Sequence, residues 1–283
     1  MNLSPNIYNK FGIDNYQSKW VIKNHIIYAS RKSIVYSCYP KSRRCVPRWI
    51  CKYPRYVAKI AAYSENEIKC LNTLSHPHII ESLDIYHNSE GMIIIFPYYQ
   101  DGDLMDVLNR NVLDRFNKEL IVNQLINVLV YLHGQGIAHG DLKLENILMR
   151  HDLHWMIKLA DFGLSVYKKD TDSVSLNPNI APELHLQTDP FALDVWNLGI
   201  ILLHLYNCNM DQQHQKNTSN PRLTTISLTS RSEDDEYHEN ETLLVEINPF
   251  RSLIPHLLDK DPKSRWTIFQ CQEWLTQNKK SSV

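Results

Sequence analysis

Glycine is scarce in this sequence. The 283 residues contain only 8 glycines, whereas average usage near 7% predicts roughly 20. None lies between Gly12 and Gly91. A phosphate-binding loop of the G-x-G-x-x-G or Walker type needs closely spaced glycines, so this stretch cannot contain one.

Membrane, export and metal-binding signals are also missing. No apolar run approaches the roughly 18 residues of a membrane span, and the first residues lack the basic and apolar regions of a signal peptide. The six cysteines form no CxxC pair and no spacing typical of metal ligands. We therefore expect an intracellular chain, cytoplasmic or nuclear, with free thiols and no membrane partner.

Acidic side chains are absent from residues 15–64, which carry eleven Lys and Arg. The rest of the chain holds 31 acidic and 30 − 11 = 19 basic side chains, so a formal net charge of −1 hides a strong asymmetry. A basic stretch of this kind suits nucleic acid, and it equally suits a small anionic ligand such as a polyphosphate.

The first hundred residues read mostly as strands. Residues 20–39 and 56–62 are rich in Val, Ile, Tyr and Ala and predict short strands. Residues 64–74 have a helical apolar pattern. Residues 92–96 predict a buried strand that ends at Pro97.

After Gly102 the pattern becomes helical. Residues 117–133 and 191–206 predict two long buried helices, and residues 250–258 a shorter one. Residues 207–242 are polar and acidic and predict a mobile loop. The sequence thus predicts a small strand-rich lobe followed by a larger helical lobe.

Several short motifs follow one another along the chain. They are VAK at 57–59, a glutamate at 67, HPHII at 76–80, HGDLKLEN at 139–146, DFG at 161–163, APE at 181–183, DVWNLG at 194–199 and DPKSR at 261–265. In this order they resemble the signature motifs of the eukaryotic protein kinase family. The resemblance extends from about residue 20 to residue 275.

The resemblance implies an α+β, bilobal protein kinase fold with a small β-rich N-lobe, which holds one helix, and a larger, mostly helical C-lobe. The implied boundaries are an N-terminal extension at 1–19, a kinase domain at 20–277 and a C-terminal tail at 278–283. Within the domain they are an N-lobe at 20–97, a C-lobe at 102–277 and a polar insert at 207–242. The late arginine, Arg265, is implied to pair with Glu183.

The resemblance also implies ATP and Mg²⁺ as cofactors. Lys59, oriented by Glu67, would hold the α- and β-phosphates, while Asn146 and Asp161 would bind metal. Phe96 would be the gatekeeper at the back of the adenine site. Other implied nucleotide contacts are the hinge residues Tyr98 and Tyr99 and the ribose contact Asp103.

Catalysis is implied for Asp141, which would accept the hydrogen bond of the substrate hydroxyl and orient it for in-line attack, and for Lys143, which would stabilise charge on the transferred phosphoryl group. Lysine at position 143 implies serine and threonine substrates. The expected activity is transfer of the ATP γ-phosphoryl group to protein hydroxyls. The expected partner is a protein substrate and not a nucleic acid.

Four departures from the family pattern are visible. Tyr28, Ser30 and Ser33 stand at glycine positions of the nucleotide loop. Gly140 replaces an arginine that pairs with a phosphorylated activation loop, which predicts no such switch here. The spacing of Lys59 and Glu67 predicts a shortened helix. The fourth departure is Ser175 and Leu176 in place of a Gly-Thr pair.

These departures leave alternatives open. Either the enzyme is active and Arg31 or Lys32 partly replaces loop amides at the phosphates, or the chain is a pseudokinase that binds a partner. A third alternative is a small-molecule kinase of the choline or aminoglycoside type, which also carries His-Gly-Asp. Such enzymes lack the motifs at 161–163, 181–183 and 194–199, so this alternative ranks last.

Overall fold

The computed structural model describes residues 19–41, 55–89, 91–168, 189–207 and 249–280. These residues form the bilobal α+β fold that the resemblance implies. The first lobe is an antiparallel sheet with strand order β1-β2-β3-β5-β4. Its strands are β1 (Trp20–Ala29), β2 (Ser33–Pro40), β3 (Tyr56–Ala62), β4 (Asp84–His87) and β5 (Gly91–Pro97).

The sheet carries buried side chains on both of its faces, because successive side chains along a strand point to opposite faces. Ala58 and Ile60 of β3 belong to a small core on one face. Val57 and Ala61 point to the other face and join the main core, which continues into the second lobe. Lys59 lies between Ala58 and Ile60, so the pleat turns it toward the second lobe.

One helix, α1 (Glu65–Thr73), follows β3 after two residues. Its N-cap is Ser64, whose side chain accepts a hydrogen bond from the N–H of Glu67. The helix begins at Glu65, so Glu67 falls in its first turn, and it has only nine residues. This agrees with the shortened helix expected from the spacing of Lys59 and Glu67.

The second lobe is built around two long helices. Residues predicted as helical at 117–133 and 191–206 lie in α3 (Arg115–Gly134) and α4 (Pro190–Asn207). The buried face of α3 repeats at intervals of three and four residues, through Ile121, Leu125, Val128, Leu129 and Leu132. Both predictions are confirmed.

Shorter elements surround these helices and form the cleft side of the lobe. They are α2 (Leu104–Asn109), β6 (Ile137–Ala138), a 3₁₀ turn (Leu144–Asn146), β7 (Ile147–His151), β8 (Trp155–Leu159), a second 3₁₀ turn (Phe162–Leu164) and β9 (Val166–Tyr167). The β7–β8 hairpin is antiparallel, and β6 pairs with β9. These pairings hold residues 139–146 and 161–163 side by side.

The predicted helix at 250–258 is instead a 3₁₀ turn (Pro249–Leu253) followed by a short helix, α5 (Ile254–Leu257). Pro255 stands at the start of α5. Proline has no N–H to donate and clashes with the preceding turn, so a continuous helix cannot pass through it. The last helix, α6 (Ile268–Lys280), continues three residues past the predicted domain end at 277.

Parts of the predicted organisation lie outside the described residues. These are the N-terminal extension apart from Lys19, the polar insert after Asn207, and the APE motif at 181–183. Within the described residues, no helix is long and apolar enough to cross a membrane. Of the described cysteines, Cys38, Cys70 and Cys271 are buried and unpaired.

Candidate active site

Lys59 forms two ion pairs, one within the first lobe and one with the second lobe. Its Nζ lies 2.6 Å from Glu67 Oε1 on α1 and 2.9 Å from Asp161 Oδ1 at the start of the DFG segment. The Lys59 and Glu67 side chains are 13% and 4% exposed, whereas that of Asp161 is 45% exposed. The lysine head group is therefore fixed, and one carboxylate beside it remains open to solvent.

Burial and charge act against each other in this triad. Burial alone would lower the pKa of Lys59, but the carboxylates of Glu67 and Asp161 raise that pKa above its ordinary value. Burial raises the pKa of Glu67 despite the nearby ammonium. Burial would also raise the pKa of Asp161, but Lys59 outweighs it and lowers that pKa. Asp161 is thus the more firmly ionised carboxylate of the two.

The backbone of Asp161 is left-handed, with φ 64° and ψ 70°. Residues other than glycine adopt this conformation at a cost, Asp and Asn at a smaller one, and residues held in it cluster at functional sites. It directs the carboxylate toward Lys59 at the point where the chain enters the second 3₁₀ turn. Strain and ion pairing therefore coincide at the residue predicted to bind metal.

The segment after Asp161 is tied directly to α1. Asn66 Nδ2 donates to the carbonyl of Ser165 at 2.9 Å, and Lys69 Nζ lies 3.9 Å from the centre of the Tyr167 ring. Sequence reasoning missed both contacts, because neither residue belongs to a recognisable motif. Together they fix the helix that carries Glu67 against the segment that carries Asp161.

Asp141 forms a second cluster. Lys143 Nζ donates to Asp141 Oδ2 at 2.7 Å. Asn146 Nδ2 donates to the Asp141 carbonyl at 2.7 Å and to Oδ2 at 3.1 Å. Among the described residues nothing donates to Asp141 Oδ1, which is therefore free to accept from a substrate hydroxyl. Burial alone would lower the pKa of Lys143, but the carboxylate of Asp141 raises it.

The loop that carries Asp141 is anchored by the carboxylate of Asp194 on α4. The fully buried Asp194 carboxylate accepts hydrogen bonds from the N–H groups of His139 at 2.7 Å and Gly140 at 3.0 Å. His133 Nε2 lies 3.0 Å from the same carboxylate. Asp194 thus positions the loop that carries Asp141 without facing the cleft.

His139 is a core residue. It is fully buried, its Nε2 lies 3.0 Å from the carbonyl of Ala160, and its ring packs edge-on against Phe162 at 5.1 Å. The Ser165 hydroxyl donates to the His139 carbonyl at 3.2 Å. These contacts bind the HGD and DFG segments to each other.

The donor set fits Mg²⁺. Magnesium is usually held by one or two protein oxygens together with substrate phosphates and water. Asp161 offers a partly exposed carboxylate, and Asn146 uses its amide nitrogen on Asp141, which leaves its amide oxygen for a metal. In the described part of the chain no cluster of three or more His, Cys, Asp or Glu could form an all-protein metal site.

The expected adenine-site residues lie at the end of β5, away from the triad. Phe96 is buried and pairs across the sheet with Val57. The Tyr98 N–H donates to the carbonyl of Arg55 at 2.9 Å. Tyr99 is buried, and this burial raises its pKa to about 12. Their contacts with nucleotide remain predictions.

Asp103, expected at the ribose, is the N-cap of α2. Its Oδ1 accepts from the N–H of Asp106 at 2.9 Å, and burial raises its pKa. One oxygen of this carboxylate is thus used in the fold, and its ribose contact remains a prediction.

The expected pair of Arg265 with Glu183 cannot be followed, because Glu183 lies outside the described residues, as do Ser175 and Leu176. Arg265 itself is buried. It donates to the carbonyls of Asp259 at 3.0 Å and Ala192 at 2.9 Å and lies 4.8 Å from the Trp196 ring centre.

Comparisons of this sequence with protein-family models and with curated proteins both match kinases. The protein kinase domain family model matches residues 31–275. NUAK family SNF1-like kinase 1 of Homo sapiens is 32% identical over 228 residues, which cover 77% of this chain and 32% of the relative. Serine/threonine-protein kinase cds1 of Schizosaccharomyces pombe is 32% identical over 151 residues, 49% of this chain and 32% of the relative.

A third relative is the probable serine/threonine-protein kinase KIN1 homolog of Enterocytozoon bieneusi, which is 38% identical over 156 residues. The match covers 53% of this chain and 26% of the relative. The chain thus spans about a third or less of the length of these curated relatives.

Proposed function

The chain belongs to the protein kinase domain family, and we propose that it is a protein serine/threonine kinase. In this proposal it transfers the γ-phosphoryl group of ATP, with Mg²⁺, to hydroxyl groups of proteins. One observation carries the proposal: Lys59 is already held between Glu67 and Asp161 at 2.6 and 2.9 Å. An active site that has lost its function has no need to retain this buried ion pair, which is expensive in free energy.

Phosphoryl transfer depends on positioning and charge neutralisation more than on covalent chemistry. Lys59 presents an ammonium group to the α- and β-phosphates, and Glu67 keeps it in place. Asp161 and Asn146 would hold Mg²⁺, which would supply positive charge to the phosphates when bound.

Asp141 orients the substrate hydroxyl and accepts its proton at Oδ1, the oxygen that Lys143 and Asn146 leave open. Lys143 carries its charge at the point where the phosphoryl group is transferred. A lysine at this position favours serine and threonine over tyrosine, and two relatives, the Schizosaccharomyces pombe and Enterocytozoon bieneusi proteins, are named as serine/threonine-protein kinases.

The alternative is a pseudokinase, and it is favoured by one observation, the side chains at the glycine positions Tyr28, Ser30 and Ser33. Side chains hinder the approach of loop amides to phosphates. The assembled triad and the Asp141 cluster favour the enzyme, because a binding module needs neither.

The proposal is tested with ATP labelled at the γ-phosphate, Mg²⁺, and generic basic and acidic proteins as substrates. Wild type is compared with Asp141→Asn and Lys59→Met, and phosphoamino acids in the product are identified. We expect label on serine and threonine from wild type only. Equal incorporation by all three proteins contradicts the enzyme, and Mg²⁺-dependent stabilisation by ATP without turnover favours the pseudokinase.

A further inference from the structure

The turn between β1 and β2 occupies the position of the family's nucleotide loop. Backbone N–H groups of this turn donate hydrogen bonds within the turn itself, two of them to the Ser30 side chain. The Ser30 hydroxyl accepts from the N–H groups of Lys32 at 3.2 Å and Ser33 at 3.1 Å. The N–H of Ser30 donates to the Ser33 carbonyl at 2.9 Å. Three backbone donors that a glycine-rich loop would offer to phosphate are therefore already used within the turn.

The turn lies at the phosphate end of the cleft. Val35 of β2 pairs with Lys59 and Ser33 pairs with Ala61, while the opposite end of β3 pairs with Pro97 at the hinge. At about 3.3 Å per residue, Ser33 lies roughly 7 Å beyond Lys59 along the strand, away from the hinge. Residues 30–32 lie further in the same direction, where the outer phosphates of ATP extend past Lys59.

The two lysines in the cleft are already paired with carboxylates, so a triphosphate needs further positive charge. Lys59 is paired with two carboxylates and Lys143 with one, so neither is an uncompensated charge for a triphosphate. The hairpin at 19–41 contains five basic residues and no acidic one. Arg31 and Lys32 at its tip are exposed and form no ion pair with any other residue that the structure describes. A guanidinium fork and an ammonium are both strong phosphate ligands.

We propose that Arg31 and Lys32 bind the phosphate groups of the nucleotide with their side chains, in place of the backbone N–H groups that Ser30 occupies. This inference rests on the proposed function, because it names the groups that hold ATP in that site. It explains how a loop without glycine serves a phosphotransfer enzyme: the cationic side chains reach the phosphates, and the backbone does not need to approach them.

Calorimetric titration with MgATP and, separately, with adenosine tests the inference, because adenosine has no phosphates. We expect Arg31→Ala combined with Lys32→Ala to weaken MgATP binding by about tenfold or more, through lost charge-assisted hydrogen bonds, and to leave adenosine binding within about twofold. The matched control is Lys23→Ala with Lys41→Ala, which removes two charges from the other end of the same hairpin and should leave both ligands within about twofold.

Unchanged MgATP binding in the Arg31/Lys32 variant overturns the inference, and so does an equal loss of adenosine binding, which indicates a damaged fold. If wild type binds MgATP and transfers phosphate but the variant does so equally well, only this inference fails. If wild type binds no MgATP, the proposed function fails first.

Ser30→Gly provides a second test. In the Arg31/Lys32 double-alanine background it releases the backbone N–H groups at positions 32 and 33, and we expect MgATP affinity to recover by about threefold. No recovery overturns the role assigned to Ser30. Circular dichroism melting of each variant verifies that the hairpin lobe is still folded.

Discussion

At the scale of single residues, Gly140 has a backbone that excludes other side chains. Its φ is +78°, and a Cβ added there would lie 2.3 Å from the carbonyl oxygen of Leu164. We predict that Gly140→Ala lowers the free energy of unfolding by about 2–3 kcal/mol, from the left-handed backbone and the clash.

Gly134 is the matched control, because nothing lies within 4 Å of a Cβ added there and it ends α3. Gly134→Ala should be neutral or stabilise by up to about 1 kcal/mol. Urea denaturation of both variants measures the difference, and equal effects contradict the argument.

Gly140 also bears on regulation, because it cannot pair with a phosphate as arginine would. We predict that phosphorylation of Thr171, Ser173 or Ser175, which lie outside the described residues, does not raise activity. Activity measured before and after phosphatase treatment tests this. A strong fall on dephosphorylation contradicts the interpretation of Gly140.

The Lys59 triad makes a prediction about ionisation. Burial holds the pKa of Glu67 above its ordinary 4.5, whereas Lys59 overcomes burial and holds the pKa of Asp161 below its ordinary 3.8. As the pH falls, Glu67 takes up a proton first. Asp161 stabilises the fold above pH 3.8 and loses that contribution only as the pH falls through its lower folded-state pKa. The ionised form of Glu67 costs stability, and protonation relieves that cost.

Carbon-13 NMR of the side-chain carboxyl groups measures both values directly. Lys59→Met should raise the pKa of Glu67 and of Asp161, since the ammonium lowers both. A pKa of Asp161 that does not move in this variant contradicts the geometry of the triad.

At the scale of elements, the first turn of α1 positions Glu67 beside Lys59 in the cleft. Its N-cap Ser64 accepts from the Glu67 N–H at 3.4 Å. We predict that Ser64→Ala costs about 1 kcal/mol of stability and weakens MgATP binding, because the first turn that frays carries Glu67. Thr73→Ala at the other end of the helix removes an exposed hydroxyl bonded to the Lys69 carbonyl and should affect neither quantity. Equal effects of the two changes count against the role of the cap.

Sequence reasoning succeeded for elements with a clear period and for residues within motifs. The long helices were predicted to within two residues at each end, because their apolar side chains repeat on one face. Lys59, Glu67 and Asp161 were predicted to act together, and the structure places them in contact.

The side-chain hydrogen bonds of turns and of helix ends could not be predicted, because they depend on which segments lie next to each other in the fold. No sequence pattern indicates that the Ser30 hydroxyl accepts from the Ser33 N–H or that Asn66 donates to the carbonyl of Ser165. The break before α5 could have been predicted from Pro255, which has no N–H to continue a helix.

At the scale of the whole molecule, the nucleotide site draws on both lobes. Lys59 comes from the sheet, whereas Asp161 and Asn146 come from the second lobe. A ligand that binds the folded state at 100 times its Kd stabilises it by about 2.7 kcal/mol, so saturating MgATP should raise Tm by roughly 5 °C.

Asp161→Asn should remove the Mg²⁺ dependence of this shift. Asp152→Asn, at an exposed ion pair with Arg150, should keep it. Differential scanning fluorimetry with ATP in the presence and absence of Mg²⁺ makes the comparison. A Mg²⁺-dependent shift that survives in Asp161→Asn contradicts the metal assignment.

The central claim is that this assembled site transfers phosphate to protein. The most direct test is the single-turnover rate of γ-phosphoryl transfer from MgATP to serine and threonine of a protein substrate. It is measured for wild type, Asp141→Asn and the control Asp152→Asn. We predict that Asp141→Asn binds MgATP normally but transfers at least about a hundredfold more slowly, while Asp152→Asn matches wild type. Wild-type transfer no faster than that of Asp141→Asn would contradict the account.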